Sequence, residues 1–510
     1  MIGLIVISTG IAYFISLPFA SLLQGANYRI DVYFLRARKW LIMCASYAAV
    51  FAAISLGAHY FCQGVFGGIL LSICYLLSGV FTYGLHKKMR LHLTMTNRLA
   101  RLLIATIFLY AIVFFPLYFL SLQCLWAAMP AMAPFILAGA ALLCSPLETI
   151  NNDRYLKRAK NALNKTNAVK IAITGSYGKT SVKNDLEQLL SETYRTLATP
   201  ANYNTPLGIA KTMGASDGKE EIIILEMGAR RKGDIKELCA LVDPTIGVIT
   251  GIAPQHLETF GTLENIIAEK NELARAISPE HIVYYNLADE RVRTLYDARA
   301  GKKVGVGFER ADRLIRNIII SESGTSFDLV NGEERLSFFA PLYGKAMIAD
   351  LAIACTIALD LGVSTDSLRE IVGRISAVPH RFEVSHSGDV TIIDDSYNIN
   401  PIGADAALES LAVFQAKRRI VYVSGIVELG ADTERINRAL GAKIAATSDV
   451  AIIAGGRYGD FVAQGILAAE PSFAILRVED TAEATAGFRQ LLREGDLLLI
   501  MSDLPRDYLV

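Results

Sequence analysis

The sequence predicts a multi-domain protein: an α-helical membrane domain, an α/β domain built around a phosphate-binding loop, and a C-terminal Rossmann-like α/β domain. Three observations lead to this prediction. Long apolar runs fill residues 1–150, a strand, a glycine-rich turn and a helix follow one another in residues 169–192, and strands alternate with helices beyond them. A chain of 510 residues also exceeds one compact core, since domains usually contain about 100–200 residues.

The composition separates a basic, apolar part from an acidic, globular part. Hydrophobic residues make up 52% of the chain, and the formal net charge is zero. Residues 1–150 contain nine Lys or Arg and two Asp or Glu, a net charge of +7, so residues 151–510 carry −7. This distribution excludes a disordered chain and a strongly basic nucleic-acid-binding protein. The seven cysteines form no CxxC pair, which argues against a zinc site or a disulfide framework.

Three uncharged apolar runs predict five membrane spans. The first run is residues 2–23, and residues 40–85 and 102–147 are runs of 46 residues each. One spanning helix needs about 20 apolar residues, so the first run predicts one span and each long run predicts two. The turns within the long runs are expected near residues 60–63 and 121–124. The first run lacks the basic start of a signal peptide.

The positions of Lys and Arg predict the orientation of this domain. They cluster in residues 25–39, 86–101 and 154–165, and the two short turns contain none. The positive-inside rule then predicts a multi-pass protein of the cell membrane with its N-terminus outside and its later domains in the cytoplasm. The lipid bilayer is the expected partner, and the domain is either an anchor or a recognition surface for a lipid-linked substrate or a membrane partner. The spans contain no Asp, Glu, Lys or Arg, which argues against an ATP-driven transporter.

A phosphate-binding loop is predicted directly after the first strand of the second domain. The apolar strand 169–174 leads into Gly-Ser-Tyr-Gly-Lys-Thr-Ser at 175–181, and a helical pattern follows. The glycines let backbone N–H groups face phosphate oxygens, and the helix N-terminus favours an anion. Lys179 would reach the β- and γ-phosphates of ATP, and Thr180 or Ser181 would bind Mg²⁺. The predicted nucleotide-binding residues of the loop are Gly175, Ser176, Gly178, Lys179, Thr180 and Ser181.

Ordered motifs over residues 166–460 resemble those of the Mur ligases, the ATP-dependent amide ligases of peptidoglycan synthesis. The family has the same short phosphate loop, in which Ile173 stands where the common G-x4-G-K-[ST] loop has its first glycine. The other matching segments are TPANYNTPLG (199–208), IIILEMGA (222–229), PQHLETFGTL (254–263), AEKNEL (268–273), NLAD (286–289), PHRFE (379–383), DDSYNINP (394–401) and VELG (427–430). Their forms are most similar to those of the branch that adds D-alanyl-D-alanine.

The resemblance implies a role for each matched residue. It implies Mg²⁺ ligands at Thr180, Glu226 and His256, a carbamylated lysine at Lys270, and nucleotide contacts at Asn286, Arg381 and Asp395. It implies substrate contacts at Asn202, Asn204 and Asn398. The implied catalytic residues are Lys179, His256, Lys270 and Arg381.

The chemistry of amide formation requires such residues independently. A carboxylate must be activated, and ATP does so by forming an acyl phosphate. Lys179, Arg381 and Mg²⁺ would neutralise the repulsion between the γ-phosphate and the carboxylate. Purely structural interpretations of three residues remain open. Glu226 could be a surface acid at a strand end, His256 a loop histidine hydrogen-bonded to backbone, and Lys270 a surface lysine.

Several positions depart from the family's pattern. Residues 1–150 replace the domain that binds UDP in the family. This replacement favours a lipid-linked or membrane-proximal acceptor. The stretch Gly-x-His-Asn-x-x-Asn has Ala346, Met347 and Asp350 at its last three polar positions, and a downstream His is Asn437. The final domain also lacks the usual Lys near residue 501. ATP use is therefore better supported than the identity of the amine.

The predicted domains are 1–150 (transmembrane), 151–166 (a basic linker helix), 167–378 (a central P-loop ATPase domain) and 379–510 (C-terminal). ATP is expected between the last two, at the carboxyl ends of their strands. The predicted function is a membrane-bound ATP-dependent ligase that joins a carboxylate acceptor to an amino acid or to D-alanyl-D-alanine. The acceptor is a UDP-linked muramyl peptide or a lipid-linked or poly-γ-glutamate-type polymer. A non-catalytic nucleotide-binding membrane scaffold is the alternative.

Overall fold

The computed structural model describes most of the chain as two compact units, residues 1–154 and 155–510. The described residues are 2–26, 28–61, 93–114, 129–397, 399–479 and 491–501, with Ile73, Leu77, Val80, Gly84, Pro116 and Phe488 between them.

In the described residues of the first unit, all regular secondary structure is α-helical. Its helices are α1 (Ile2–Gly25), α2 (Ile30–Phe61), α3 (Asn97–Phe114) and the first part of α4 (Met129–Lys165). Phe19, Tyr33 and Leu137 are fully buried between them, and the hydroxyl of Tyr33 donates a hydrogen bond to the carbonyl oxygen of Pro134 at 3.0 Å. The aromatic and aliphatic side chains of these four helices thus form one small core.

Two helices in the described residues are long and apolar enough to cross a membrane. They contain the segments Ala37–Ile54 and Met132–Lys165. The five predicted spans are not confirmed: residues 62–72 and 117–128, which include half of the first predicted turn and all of the second, lie outside the described residues. The predicted linker helix of residues 151–166 is the end of α4, which continues without a break from the apolar segment to Lys165.

The second unit begins with a nine-stranded sheet. Its order is β2-β3-β1-β4-β5-β6-β7-β8-β9. Its strands are β1 (Val169–Thr174), β2 (Thr196–Ala198), β3 (Ile222–Glu226), β4 (Ile246–Ile249), β5 (Ile282–Asn286), β6 (Lys303–Gly307), β7 (Arg313–Ser321), β8 (Gly324–Asn331) and β9 (Glu334–Ala340). Its helices are α5 (Lys179–Leu190), α6 (Pro206–Met213), α7 (Asp234–Val242), α8 (Leu257–Phe260), α9 (Leu263–Ala276), α10 (Glu290–Ala298), α11 (Lys345–Asp360) and α12 (Thr365–Gly373).

The strand pairing brings the predicted site residues to one edge of this sheet. The strands β1 and β3 are parallel with Ile173 opposite Glu226, and Thr174 lies opposite Ile249 of β4. The helix α5 starts immediately after the loop that follows β1, and the fully apolar middle of α11 packs against it. The carboxyl ends of β1, β3 and β4 therefore surround the phosphate loop.

The alternation of strands and helices in the sequence is typical of a parallel sheet, but β7, β8 and β9 pair antiparallel to one another. Two-residue connections, 322–323 and 332–333, join them. Such short connections form hairpins, whereas a parallel crossover needs a dozen or more residues.

A six-stranded sheet completes the second unit. Its order is β10-β11-β15-β12-β13-β14, with one antiparallel pair, β10 and β11. Its strands are β10 (Glu383–Ser387), β11 (Val390–Asp394), β12 (Arg418–Val423), β13 (Val450–Ala454), β14 (Ala474–Val478) and β15 (Asp496–Met501). Its α-helices in the described residues are α13 (Pro401–Ser410), α14 (Thr433–Thr447) and α15 (Arg457–Ala469).

Candidate active site

The phosphate loop turns tightly between β1 and α5. Gly178 has φ 81°, and a Cβ atom there would lie 2.7 Å from a carboxylate oxygen of Asp350, so this position requires glycine. Ser176 is fixed from both sides, since its N–H donates to the carbonyl oxygen of Gly251 at 2.6 Å and its hydroxyl donates to that of Ala253 at 3.1 Å. These contacts hold the loop against the end of β4.

Lys179 lies over the phosphate loop. Its Nζ donates to the carbonyl oxygens of Gly175 at 2.8 Å and Ser176 at 3.1 Å. Burial lowers the pKa of Lys179 to about 8, and the nearby Glu226 partly opposes this shift. A cation held at the centre of a glycine-rich loop is placed to bind phosphate oxygens.

Glu226 is the centre of a buried polar cluster at the end of β3. Its side chain is 1% exposed, which excludes a surface acid. It accepts hydrogen bonds at 3.0 Å from the hydroxyl of Thr180 and from the amide of Asn204, and the Nζ of Lys183 lies 3.5 Å away. Lys183 also donates to the carbonyl oxygen of Ala201 at 2.5 Å. The structure therefore brings together the predicted metal ligands Thr180 and Glu226 and the predicted substrate residue Asn204.

The sequence analysis did not identify Lys183. The available signal was its position, one helical turn after Lys179 on the same face of α5. Of the other predicted residues here, Ser181 is buried beside Thr180, and the side chain of Asn202 is exposed while its carbonyl oxygen accepts the N–H of Asn204 at 2.8 Å.

These oxygen atoms fit Mg²⁺. Among the described residues, no group of three or more His, Cys, Asp and Glu side chains could hold a metal ion. The pair of Thr180 and Glu226 instead suits an ion that keeps waters and phosphate oxygens among its ligands, as Mg²⁺ does. Both oxygens belong to buried side chains that contact each other, so the ligands are positioned by the fold.

Lys270 is buried on α9, which excludes a surface lysine. Burial, together with the charge of Lys179, lowers its pKa to about 7. The neighbouring Glu269 is occupied elsewhere, because its carboxylate accepts the N–H groups of Gly233 and Ile235, each at 2.7 Å, at the start of α7. The amine of Lys270 therefore has substantial neutral character near neutral pH.

His256 takes part in a different contact, with Glu428 of the C-terminal domain. It has φ 54° at the start of α8, and its Nδ1 contacts the carboxylate of Glu428 in the C-terminal sheet region. The N–H of Leu257 donates to the carbonyl oxygen of Glu428 at 3.2 Å. The contacts of Glu226 come instead from α5 and the loop after β2, so the structure does not pair these two predicted metal ligands with each other.

Asn286 and Asp289 connect the end of β5 to the phosphate loop. The amide of Asn286 donates to Asp350 at 3.1 Å, and the hydroxyl of Tyr177 in the loop donates to Asp289 at 2.9 Å. Asp289 also accepts the N–H of Arg291 at 2.9 Å and so caps α10. The NLAD motif at residues 286–289 thus lies beside the phosphate loop.

Two carboxyl groups lie buried behind the phosphate loop. Burial raises the pKa of Asp350 to about 7, and Arg381, Asn286 and Lys179 act in the opposite direction. Burial raises the pKa of Asp185 well above its ordinary value, and the charge of Asp350 adds to this effect. One carboxyl oxygen of Asp185 has no hydrogen-bond partner among the described residues.

Arg381 and Asp395 enter this region from the C-terminal domain. The guanidinium of Arg381 lies 4.5 Å above the ring of Tyr397, and its Nε is buried without a hydrogen-bond partner in the described part of the chain. Asp395 accepts the N–H of Phe382 at 3.2 Å and so holds the turn that carries Arg381. Asn398, a predicted substrate residue, lies outside the described residues. A buried guanidinium N–H that lacks an acceptor is ready for an anionic ligand.

The departures from the family's pattern have structural explanations in the C-terminal domain. Asn437 is fully buried and bonds to both the N–H and the carbonyl oxygen of Ile426, at 2.7 and 2.9 Å. It thereby shapes the turn before Glu428. Met501 is fully buried in the hydrophobic core. These residues stabilise the domain without adding charge to the site.

Comparisons with known proteins identify the two domains that contain these residues. A Mur ligase middle domain matches residues 173–358, and the Mur ligase, glutamate ligase domain matches residues 380–504. The UDP-N-acetylmuramoyl-tripeptide–D-alanyl-D-alanine ligase of Mycobacterium tuberculosis (strain H37Rv) is 30% identical over 359 residues, which cover 65% of this chain and 69% of that protein. The enzyme of the same name from Bacillus subtilis is 26% identical over 331 residues, covering 64% and 72%.

A solved structure gives the same result for the fold. MurF ligase from Thermotoga maritima in complex with ADP has a TM-score of 0.62 and 25% sequence identity, and the match covers 69% of this chain and 80% of that chain. The ATP and Mg²⁺ predicted from the phosphate loop are the cofactors of this family. The chain belongs to the Mur ligase family and is an ATP-dependent ligase that forms amide bonds.

Proposed function

We propose that this protein is a membrane-bound ligase of cell-envelope synthesis that joins the carboxylate of a muramyl-peptide-type acceptor to D-alanyl-D-alanine or an amino acid. The observation that carries the proposal is the buried cluster of Thr180, Lys183, Asn204 and Glu226 beside Lys179 in the phosphate loop. The relatives that carry this middle domain are named for adding D-alanyl-D-alanine to a UDP-linked tripeptide.

ATP and Mg²⁺, when bound, would supply the activation: the acceptor's carboxylate takes the γ-phosphoryl group and ADP leaves, then the amine attacks the acyl phosphate, loses a proton and gives the amide and inorganic phosphate. Thr180 and Glu226 would hold the metal ion, and Lys179 would neutralise phosphate charge within the loop. Arg381 supplies a second cation from the C-terminal domain, and Asp395 fixes the turn that positions it. Charge that is placed in advance around a developing anion lowers the barrier without reorganisation during the reaction.

The acceptor is proposed to lie beside the loop after β2. Asn204 reaches Glu226, and the exposed side chain of Asn202 precedes it on the same loop. Lys183 joins this loop to the metal ligand through Ala201 and Glu226. The acceptor's carboxylate would therefore meet the γ-phosphate near Glu226, with Asn398 as a further substrate contact.

Lys270 is proposed to act as a carbamate. Its neutral amine attacks CO₂, an N–C bond forms, and a proton leaves to solvent, which converts a buried cation into a carboxylate. Burial and a pKa of about 7 favour the neutral amine that this step requires. Incorporation of labelled bicarbonate into the wild-type protein, and its loss in Lys270→Met, tests the assignment.

The membrane location rests on the first unit. The segments Ala37–Ile54 and Met132–Lys165 are long and apolar enough to span a bilayer, and α3 exposes large apolar side chains such as Phe108 and Ile112. Neither family match includes residues 1–150. We propose a multi-pass arrangement with the N-terminus outside and the ligase domains in the cytoplasm, which favours a lipid-linked acceptor over a soluble one.

The test is phosphate release from ATP by the full chain in neutral detergent. D-alanyl-D-alanine and single amino acids would be offered with a soluble UDP-muramyl tripeptide, its lipid-linked form, or a poly-γ-glutamate-type polymer. We expect release that needs both an acceptor and an amine and that disappears in Lys179→Met. ATP binding without release for any acceptor in the panel would overturn the ligase assignment in favour of a scaffold. Recovery of the protein in the soluble fraction of cells would overturn the membrane location.

A further inference from the structure

A group of polar side chains lies at one end of α3 in the first unit. Arg101 donates two hydrogen bonds to the carboxylate of Glu148 on α4, through Nε at 2.7 Å and through a terminal nitrogen at 3.0 Å. Arg98, one turn earlier, has its Nε 4.0 Å from the same carboxylate and its guanidinium 3.9 Å from the centre of the Tyr28 ring. Tyr28, Arg98, Arg101 and Glu148 are called the arginine cluster below.

The arginine cluster presents positive charge outward. The Glu148 side chain is 8% exposed, whereas those of Arg98 and Arg101 are 36% and 46% exposed. The two guanidinium groups and the one carboxylate give the named side chains a formal charge of +1. The Tyr28 ring lies beneath the guanidinium of Arg98 and so fixes its position. The partly exposed guanidinium groups fit an anion with several acceptor oxygens.

An apolar surface continues from the arginine cluster along the same two helices. On α3, Ile104, Phe108 and Ile112 are exposed and repeat every four residues after Arg101. On α4, Leu143 and Leu147 are exposed next to Glu148. The two helices are neighbours, because a Cβ on Gly139 of α4 would lie 3.2 Å from the side chain of Leu109 on α3. Ile104, Phe108, Ile112, Leu143 and Leu147 form an exposed apolar strip, and the arginine cluster lies at one end of it.

We propose that the arginine cluster binds the phosphate headgroup of an anionic membrane lipid whose hydrocarbon tail lies along the apolar strip of α3 and α4. A phosphate accepts hydrogen bonds from both arginines, and within the bilayer the tail packs against the apolar side chains of the strip. The inference rests on the proposed membrane location. An acceptor joined to a lipid through phosphate has both chemical parts, so the site would then recognise the ligase's own substrate class.

The experiment measures lipid retained by the purified full chain in neutral detergent, by native mass spectrometry and by titration. The probes are phosphatidylglycerol, farnesyl phosphate, phosphatidylcholine and inorganic phosphate. We expect the two anionic lipids to bind and phosphatidylcholine to bind more weakly. Arg98→Gln should weaken anionic-lipid binding by about tenfold, the size of one charge-assisted hydrogen bond. Tighter binding of farnesyl phosphate than of phosphatidylglycerol identifies a substrate site, and the reverse identifies a structural lipid site.

Two further variants keep the result unambiguous. The double variant Arg101→Gln with Glu148→Gln removes the second arginine without leaving a buried unpaired carboxylate, and it should weaken binding similarly. Arg29→Gln is the matched control, because Arg29 pairs with Asp31 and both are exposed, so it changes charge by the same amount outside the cluster.

Equal losses in Arg29→Gln and Arg98→Gln would overturn the proposal in favour of diffuse surface charge. Inorganic phosphate that displaces the lipids at similar concentration would overturn it in favour of a site for soluble anions. Phosphate release from ATP with a soluble acceptor should be unchanged in these variants. Failure of the lipid site is therefore distinguishable from failure of the proposed ligase function.

Discussion

The middle domain and the C-terminal domain share an architecture but place buried charge differently. In the middle domain, buried charged side chains gather at the carboxyl ends of strands and in the adjacent helices, where Lys183, Glu226 and Lys270 lie. In the C-terminal domain, Asp496 is buried at the start of β15 and pairs with Arg418 at the start of β12, at 2.6 Å. The buried charges around the phosphate loop thus lie at the strand ends where such sheets bind ligands, whereas the Arg418–Asp496 pair joins two strands.

The pKa shifts of Asp496 and of the buried groups around the phosphate loop have different causes. Burial alone would raise the pKa of Asp496, but hydrogen bonds from Arg418 and the backbone hold it below its ordinary value. In the middle domain, burial prevails at Lys179, Lys270 and Asp350, and their pKa values lie near neutral pH. A satisfied ion pair stabilises a fold, whereas charges with incomplete partners are available to a ligand.

The largest expected effect tests the charge in the middle domain. Lys179→Met removes the cation of the phosphate loop, and acceptor-dependent phosphate release should fall by about 10³-fold, as for the loss of one strong electrostatic contact to a transition state. The control is Lys236→Met on the exposed face of α7, which should leave release unchanged. Equal activity of wild type and Lys179→Met would show that the cation of the phosphate loop does not contribute to catalysis.

The next effect concerns the buried carboxyl of Asp350. Its pKa is raised from 3.8 to about 7, so the folded chain holds this proton more tightly than the unfolded chain. Stability from this group is therefore lost as pH rises from about 4 through about 7. Asp350→Asn keeps the acceptor for Asn286 and should raise the free energy of unfolding by about 2–4 kcal/mol at about pH 8, with the gain vanishing at about pH 4.

Thermal unfolding across this pH range measures the gain. The exposed Asp297→Asn is the control and should show no pH-dependent difference from wild type. A pH-independent gain in Asp350→Asn would show that the carboxyl is ionised in the folded protein.

A smaller effect tests the contribution of the C-terminal domain. Arg381→Lys keeps the charge but loses the planar guanidinium with its unpartnered Nε, so release should slow by about 10–100-fold, the range for a hydrogen bond to a charged group. The decrease should appear in kcat more than in the KM for ATP, because the arginine acts when the domains close on the nucleotide. A change in KM alone would assign Arg381 to ground-state binding.

The smallest effect tests the contact between the two domains. Glu428→Gln keeps the shape of the contact to His256 but removes the carboxylate charge, and contacts between partly exposed polar side chains contribute about 1 kcal/mol or less. Turnover should therefore change by less than about fivefold. Asp432→Asn, an exposed acid in the same region, is the matched control. A loss as large as that of Lys179→Met would place His256 and Glu428 in the chemistry itself.

The sequence predicted the second unit better than the first. The strand β1 has the predicted bounds, residues 169–174, because a short apolar run rich in β-branched residues directly before a glycine-rich turn is a strong local signal. The hairpins of β7–β9 were missed, since Glu322-Ser323 is a weak turn signal. The five-span count depends on residues beyond those that the structure describes.

The site shows a similar division. Lys179, Thr180 and Glu226 are recognisable because they follow strands directly, and parallel strands end at one edge. Lys183 and the Asp185–Asp350 pair could not be found in this way, because the importance of Lys183 depends on how α5 packs against β3, and that of the pair on how α5 packs against α11. Sequence spacing fixes neighbours along one element, but the distance between two helices is set by tertiary packing.

Asp185 has a consequence for calorimetry. Burial raises the pKa of Asp185 well above its ordinary value, so over a range of pH above about 4 the folded protein holds this proton and unfolding exposes an ordinary carboxyl that releases it. The heat of unfolding therefore includes the ionisation heat of the buffer that takes up the proton. Scans at one pH in phosphate and in Tris should give different enthalpies, and Asp185→Asn should reduce that difference by one proton.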